Sequence, residues 1–248
     1  MTMAAPVNLY HGGTKDTRCP RCNYGRNKGN PRHSIPEITD SQGLRNAVGE
    51  LRNALLASGE FKTRSFMLGV LEAKVRGQEY YLAACSNNHI DIGPHLKEIT
   101  QHKGKWKAAN RRTPEVDFGS TPLKWKSGTT GNPEPEWRTI KWEKVDIPLP
   151  ENTHNEVSRR SVNDLNKSCA AMKLLLELGD LLRQNQAWGP VEYVRMSEQV
   201  YAAPEDPEGL RTWHGKGATC SWTAHSCDGC MERIPYLICD VPANWMPN

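Results

Sequence analysis

Two Cys-x-x-Cys pairs stand near opposite ends of the chain, Cys19-Pro-Arg-Cys22 and Cys227-Asp-Gly-Cys230. Two intervening residues let both sulfurs reach one ion. At a helix start, the positive helix end also favours the thiolate that a metal requires. Two ligands leave a Zn2+ site incomplete. Cys169, placed near the start of a long apolar-faced segment, is the third candidate beside Cys227 and Cys230. Three protein ligands and one open position form the catalytic zinc arrangement, because the fourth position receives the water to be activated. The competing reading of Cys169 is a core cysteine packed as a small hydrophobe; the Cys-x-x-Cys that follows it weighs towards zinc. Cys19 and Cys22 read as half of a second, structural site, completed by two of His33, Cys85, Cys220 or Cys239, or else as an exposed pair in a mobile arm. No Gly-x-Ser-x-Gly and no phosphate-cradling glycine loop occurs, so neither a serine hydrolase nor a nucleotide-triphosphate site is expected.

The elements that must position these cysteines follow from apolar periodicity. Residues 41–59 predict a helix with Ser41 as N-cap, Leu44, Val48, Leu51 and Leu55 on one face, and Gly59 as its stop. Ser65–Ala73 and Gln78–Cys85 predict a hairpin turning at Arg76-Gly77. Asn163–Gln186 predicts the longest helix, capped at Asn163 or Asp164. Val191–Met196 predicts a strand, Ser226–Glu232 a short helix ending before Pro235, and Tyr236–Val241 a last strand. This order predicts an α/β fold with helices on the faces of one mixed sheet.

The same residues carry a family resemblance. Cys169-Ala170-Ala171 and Ser226-Cys227-Asp228-Gly229-Cys230 resemble the two zinc motifs of the zinc-dependent cytidine deaminase-like superfamily, a His-or-Cys-Ala-Glu at one helix start and a Pro-Cys-x-x-Cys at the next. The resemblance covers about residues 41–88 and 160–241. It looks most like the toxin-type DNA cytosine deaminases. It implies a three-layer α/β/α sandwich with a mixed central sheet and a long insertion, and a zinc ion on Cys169, Cys227 and Cys230. It also implies sugar contacts from Asn87 or Asn88 at the end of the hairpin, and a pocket walled by Trp222 and His225. The implied reaction is hydrolysis of cytosine to uracil in DNA. Two positions depart from the pattern. Ser226 replaces a proline that mainly presets the helix start. Ala171 replaces the glutamate that shuttles the proton. Glu177, eight residues beyond Cys169, is over two helical turns away at about 1.5 Å per residue. The chain therefore reads as the silenced form of such an enzyme, through a Glu→Ala substitution or as a natural pseudoenzyme, with the intact remainder favouring substitution. The alternatives are a non-catalytic zinc module that binds nucleic acid or protein, and an RNA or tRNA base deaminase.

Composition bounds the setting. The chain has 248 residues and a net charge of +4, enough for one large domain and compatible with nucleic acid without specifying it. Residues 1–40 read as a polar arm, and 41–248 as the deaminase-like domain with an insertion at 89–160. Within the insertion, Lys103-Gly-Lys105-Trp106-Lys107, Lys124-Trp125-Lys126 and Lys141-Trp142-Glu143-Lys144 fit either phosphate contacts with indoles stacked on bases or a solvated loop pinned by tryptophans. No apolar run approaches a membrane span and the first ten residues carry no secretory pattern, so a cytoplasmic protein is expected, or one delivered into a target cell if it is a toxin domain. DNA, single- or double-stranded, is the expected partner, with an immunity protein as a second partner in the toxin case.

Overall fold

The computed structural model describes residues 18–23, 37–87, 89–120, 123–126, 135–149, 168–187, 189–206 and 228–242. Helix α1 spans Gln42–Ser58. The Ser41 hydroxyl accepts from the Leu44 backbone N–H at 3.3 Å, satisfying one of the donors that a helix start leaves without a partner. Gly59 closes the helix with φ of 68°, a left-handed conformation that costs glycine little. Leu44, Val48, Leu51 and Leu55 are buried, as their spacing predicts.

Strands β1 (Phe66–Val75) and β2 (Gln78–Cys85) form the expected hairpin. Arg76 and Gly77 both have positive φ, which gives the two-residue turn a twist matching that of the strands. The pairing sets Leu71 opposite Leu82 and Leu68 opposite Cys85. The short strand β3 (Lys107–Ala108) runs parallel to β2. A second short pair, β4 (Val116–Asp117) and β5 (Lys124–Trp125), forms its own antiparallel ribbon. Helix α2 covers Ala170–Gln184, strand β6 covers Val191–Tyr201 and helix α3 covers Asp228–Leu237. The main sheet has the order β3-β2-β1-β6, with β6 antiparallel to β1. The fold is thus mixed α/β on a four-stranded mixed sheet.

Side chains on successive strand residues alternate between two cores. Phe66, Leu68, Val70, Tyr81, Ala83 and Cys85 pack on α1. Leu71, Ala73, Val75, Tyr80, Leu82 and Ala84 pack under α2 and α3. Gly69 lies on the second face, where an added Cβ would come 3.0 Å from Leu174 Cδ1 and 3.1 Å from Ala170 Cβ. Its missing side chain is what lets the first turn of α2 settle against β1.

Three expected boundaries change. Helix α2 begins at Ala170 with Cys169 as its N-cap; positions 163–167, where the caps were expected, lie outside the described residues. Strand β6 continues five residues beyond Met196 because its whole length pairs with β1. The expected strand Tyr236–Val241 is instead the end of α3 followed by buried irregular chain. Ile234, Leu237 and Ile238 recur at helical spacing and face the second core, so packing against α2 carries the helix past Pro235. A short apolar run has no period of its own that separates strand from helix. The region expected as an insertion contributes to the main body: β3 joins the sheet, and Trp137, Ile140, Val145 and Ile147 enter the second core. No described helix is long and apolar enough to cross a membrane.

Candidate metal centres

Cys169 and Cys230 stand at the starts of two packed helices. Cys169 is the N-cap of α2, in extended backbone with φ −65° and ψ 139°. Cys230 lies in the first turn of α3. Both are buried in the second core. Arg233 joins them. Its side chain is fully buried. Its Nε donates to the Gly229 carbonyl at 2.7 Å, and a terminal nitrogen reaches Cys169 Sγ at 3.6 Å. Its guanidinium also lies over the Trp137 ring, 5.6 Å from the centroid. A donor of this kind against a sulfur is how metal-bound thiolates are commonly oriented from outside the ligand shell. Sequence reasoning missed Arg233, although an arginine one turn past a Cys-x-x-Cys was there to be asked about. Cys227, Trp222, His225 and Asn88 lie outside the described residues.

Ala171 is the second residue of α2 and is fully buried. The nearest acid along that helix is Glu177, six residues on. Burial, with Asp180 adding to it, pushes the Glu177 carboxyl above the ordinary carboxylate value, against the opposing pull of Arg111 and Lys107.

Asn87 is held beside α2 by its backbone. Its carbonyl accepts from Lys173 Nζ at 3.1 Å and from Cys85 Sγ at 3.2 Å. Its side-chain Oδ1 accepts from the His89 N–H at 2.8 Å, closing a turn within the loop. Lys173 is one turn beyond Cys169 and almost wholly buried. Burial lowers its pKa, while Cys85 and Cys169 oppose that shift. With Cys85, His89, Asp91 and Asn110, these residues line a cavity of about 190 Å³. Lys173 is the second residue missed from sequence. A lysine on the inner face of an amphipathic helix breaks the apolar pattern, and that break was the available signal.

The arm pair finds a partner at the far end of the chain. The sulfurs of Cys19, Cys22 and Cys239 lie within 4.8 Å of one another, all buried, and this group could hold a metal ion. Of the completing residues open from sequence, Cys239 joins among the described residues; Cys85 belongs to the first core, and His33 and Cys220 lie outside the described residues. The reading of an exposed pair is thus corrected: Cys19 is 1% exposed and Cys22 0%. A hydrogen bond with Cys19, reinforced by burial, raises the Cys239 thiol above its ordinary value. Cys19, Cys22, Cys239 and Val241 form a small apolar cluster of their own. Burying so few small groups yields about 0.8 kcal/mol per methylene equivalent, against about 1–2 kcal/mol of backbone entropy per ordered residue. A bound structural ion, at about 10–16 kcal/mol in small zinc domains, is of the size that secures such a segment.

The tryptophans of residues 89–149 act as anchors. Trp106 Nε1 donates to the Gln101 carbonyl and Trp125 Nε1 to the Ile147 carbonyl, each at 2.7 Å. Trp125 meets Trp137 edge-on at 5.3 Å. Trp142, at φ 67°, has the guanidiniums of Arg111, Arg138 and Arg183 within 4.6–5.0 Å of its ring. Asp180 pairs with Arg111, and Glu136 with Arg138, so these cations are partly neutralised. No family model matches the chain, and neither the curated proteins nor the solved structures yield a match, so its residues and their geometry alone carry the functional reading.

Proposed function

We propose that the chain is a zinc-binding, cytidine deaminase-like domain built for hydrolytic deamination of cytosine in DNA and silenced by Ala171. The observation that carries this reading is the meeting of Cys169, the N-cap of α2, with the first turn of α3 through the buried Arg233. Apart from the 3-10 turn and strands β3 to β5 that follow the hairpin, the described elements after α1 run hairpin, helix, strand, helix, the order that the motif resemblance implies. Two buried thiols at the starts of two packed helices, with a guanidinium against one sulfur, are donors of the type the ion takes. Cys169 and Cys230 would hold the zinc with Cys227, and zinc bound there would supply Lewis-acid activation of water. Arg233 orients Cys169. Lys173 clamps the Asn87 loop onto α2, so Asn87 would stand beside a base brought to that helix end. The missing function is proton transfer, which position 171 would perform with a glutamate and cannot perform with a methyl group.

Ala171 also favours a second reading, a non-catalytic zinc module that binds nucleic acid or protein. Restoring the carboxylate separates the two. Ala171→Glu is expected to convert cytosine to uracil, read by sequencing treated single- and double-stranded DNA, with tRNA and free cytidine as controls. Activity on tRNA alone would move the substrate to RNA. Absence of product on every substrate, from a folded and zinc-loaded variant, would leave the binding module.

A further inference from the structure

We propose that Cys19, Cys22 and Cys239 hold a structural zinc ion that staples residues 18–23 to the end of α3, and that this staple fixes the helix carrying Cys230. The inference does not depend on the deaminase reading, because the two cysteine groups lie at opposite ends of α3. Cys230 is in its first turn, whereas Cys239 follows its last residue, Leu237, by two positions. A helix of 10 residues is about 15 Å long, too long for the groups to share an ion.

The geometry is close to that of a loaded site. Tetrahedral zinc with bonds of about 2.3 Å to sulfur sets the sulfurs about 3.8 Å apart, and the three here lie within 4.8 Å. Three thiolates select a soft or borderline ion over magnesium or calcium. The fourth position of a tetrahedral ion is left to a donor beyond these three residues. Short-range contacts already hold the segments in register. Arg21, between the two arm cysteines, donates to the Cys239 carbonyl at 2.9 Å and to the Val241 carbonyl at 3.3 Å. It also pairs with Glu143 at 3.3 Å. Cys19 Sγ contacts the Pro235 carbonyl of α3 at 3.9 Å. The Ile140 N–H donates to the Leu237 carbonyl at 2.8 Å. Three stretches of chain distant in sequence thus gather at one helix end around three thiols, and an ion there joins the first and last of them.

The test uses the full chain purified without chelator. Zinc is counted by elemental analysis in the parent and in Cys22→Ala, Cys239→Ala, Cys230→Ala and Cys85→Ala. Cys22→Ala and Cys239→Ala are each expected to lose one equivalent that Cys85→Ala retains. Cys230→Ala, with the staple intact, is then titrated with cobalt after metal removal and is expected to show a thiolate-to-cobalt charge-transfer band saturating at one equivalent. In the intact parent, chelator is expected to raise alkylation of Cys19, Cys22 and Cys239 at least tenfold and to lower the Tm by several degrees. Full zinc in Cys22→Ala, no cobalt band in Cys230→Ala, or a disulfide among the three thiols in the parent would each overturn the staple. Zinc unchanged by Cys230→Ala, with the staple equivalent still lost in Cys22→Ala, would instead sink the first centre and leave the staple standing.

Discussion

Arg233, fully buried, and Glu177, half-buried, show how much a single charge taken from water decides. Arg233 is fully buried and shared between Cys169 and the turn that holds Cys230. Arg233→Met keeps length and apolar bulk but removes the donor. It is expected to weaken zinc at the proposed Cys169/Cys230 centre by about 10–100-fold while leaving the equivalent at the proposed Cys19/Cys22/Cys239 staple in place, as read by competition with a zinc indicator. For Glu177, burial and then Asp180 raise the carboxyl pKa above its ordinary value. The folded chain therefore holds that proton more tightly than the unfolded chain. The stabilisation is fully present below the unfolded carboxyl pKa and is lost as pH climbs through the raised folded value. At neutral pH the ionised carboxylate is a burden, so Glu177→Gln is expected to raise the Tm by about 1–3 °C. Thermal melts should show that gain at pH 7 shrinking towards zero below about pH 3.5, where the carboxyl is largely protonated in both the folded and the unfolded chain. A gain independent of pH would point to packing rather than ionisation.

At the scale of elements, the candidate centre depends on how closely α2 lies on β1. Gly69 sets that distance, with Leu174 and Ala170 3.0 and 3.1 Å from where its Cβ would be. Gly69→Ala is expected to cost about 1–3 kcal/mol in urea unfolding and to lower zinc retention, because the displaced turn begins at the residue after Cys169. An equal loss of stability with zinc unaffected would mean that the strand yields instead of the helix. The elements themselves were unevenly legible. Helix α1 was readable to its caps, since Ser41, Gly59 and the leucine spacing all act locally. The hairpin was readable because Arg76-Gly77 interrupts two apolar runs. The extension of α3 past Pro235 was not, because a prolyl residue inside a helix is tolerated only when tertiary packing outweighs the lost hydrogen bond. Here that packing comes from Ile234, Leu237 and Ile238 against α2.

Across the whole molecule, charge and aromatic content have been redistributed by folding. The Lys/Trp stretches suggested bases stacking on exposed indoles, but Trp106 and Trp125 spend their N–H groups on backbone carbonyls and Trp142 is surrounded by arginines. Binding of single-stranded DNA, read by fluorescence anisotropy, is therefore expected to rest on cations. Its affinity should fall with salt at a log–log slope of about −2 to −3, as about three or four phosphate contacts require. A flat salt dependence would remove phosphate contacts from the proposal. The sequence by itself determined that this chain carries paired cysteines suited to a soft ion, that an alanine stands where the resembled motif has a carboxylate, and that its elements alternate as an α/β fold. Those properties are local, written in residue type, spacing and period. Tertiary structure decided that the cysteine pair of the arm is met by Cys239 from a segment more than 200 residues away, and that Arg233 and Lys173 are drawn inside to meet Cys169 and Asn87. No local pattern encodes those meetings, because they arise only when distant segments bury their apolar faces against one sheet and carry their polar groups in with them.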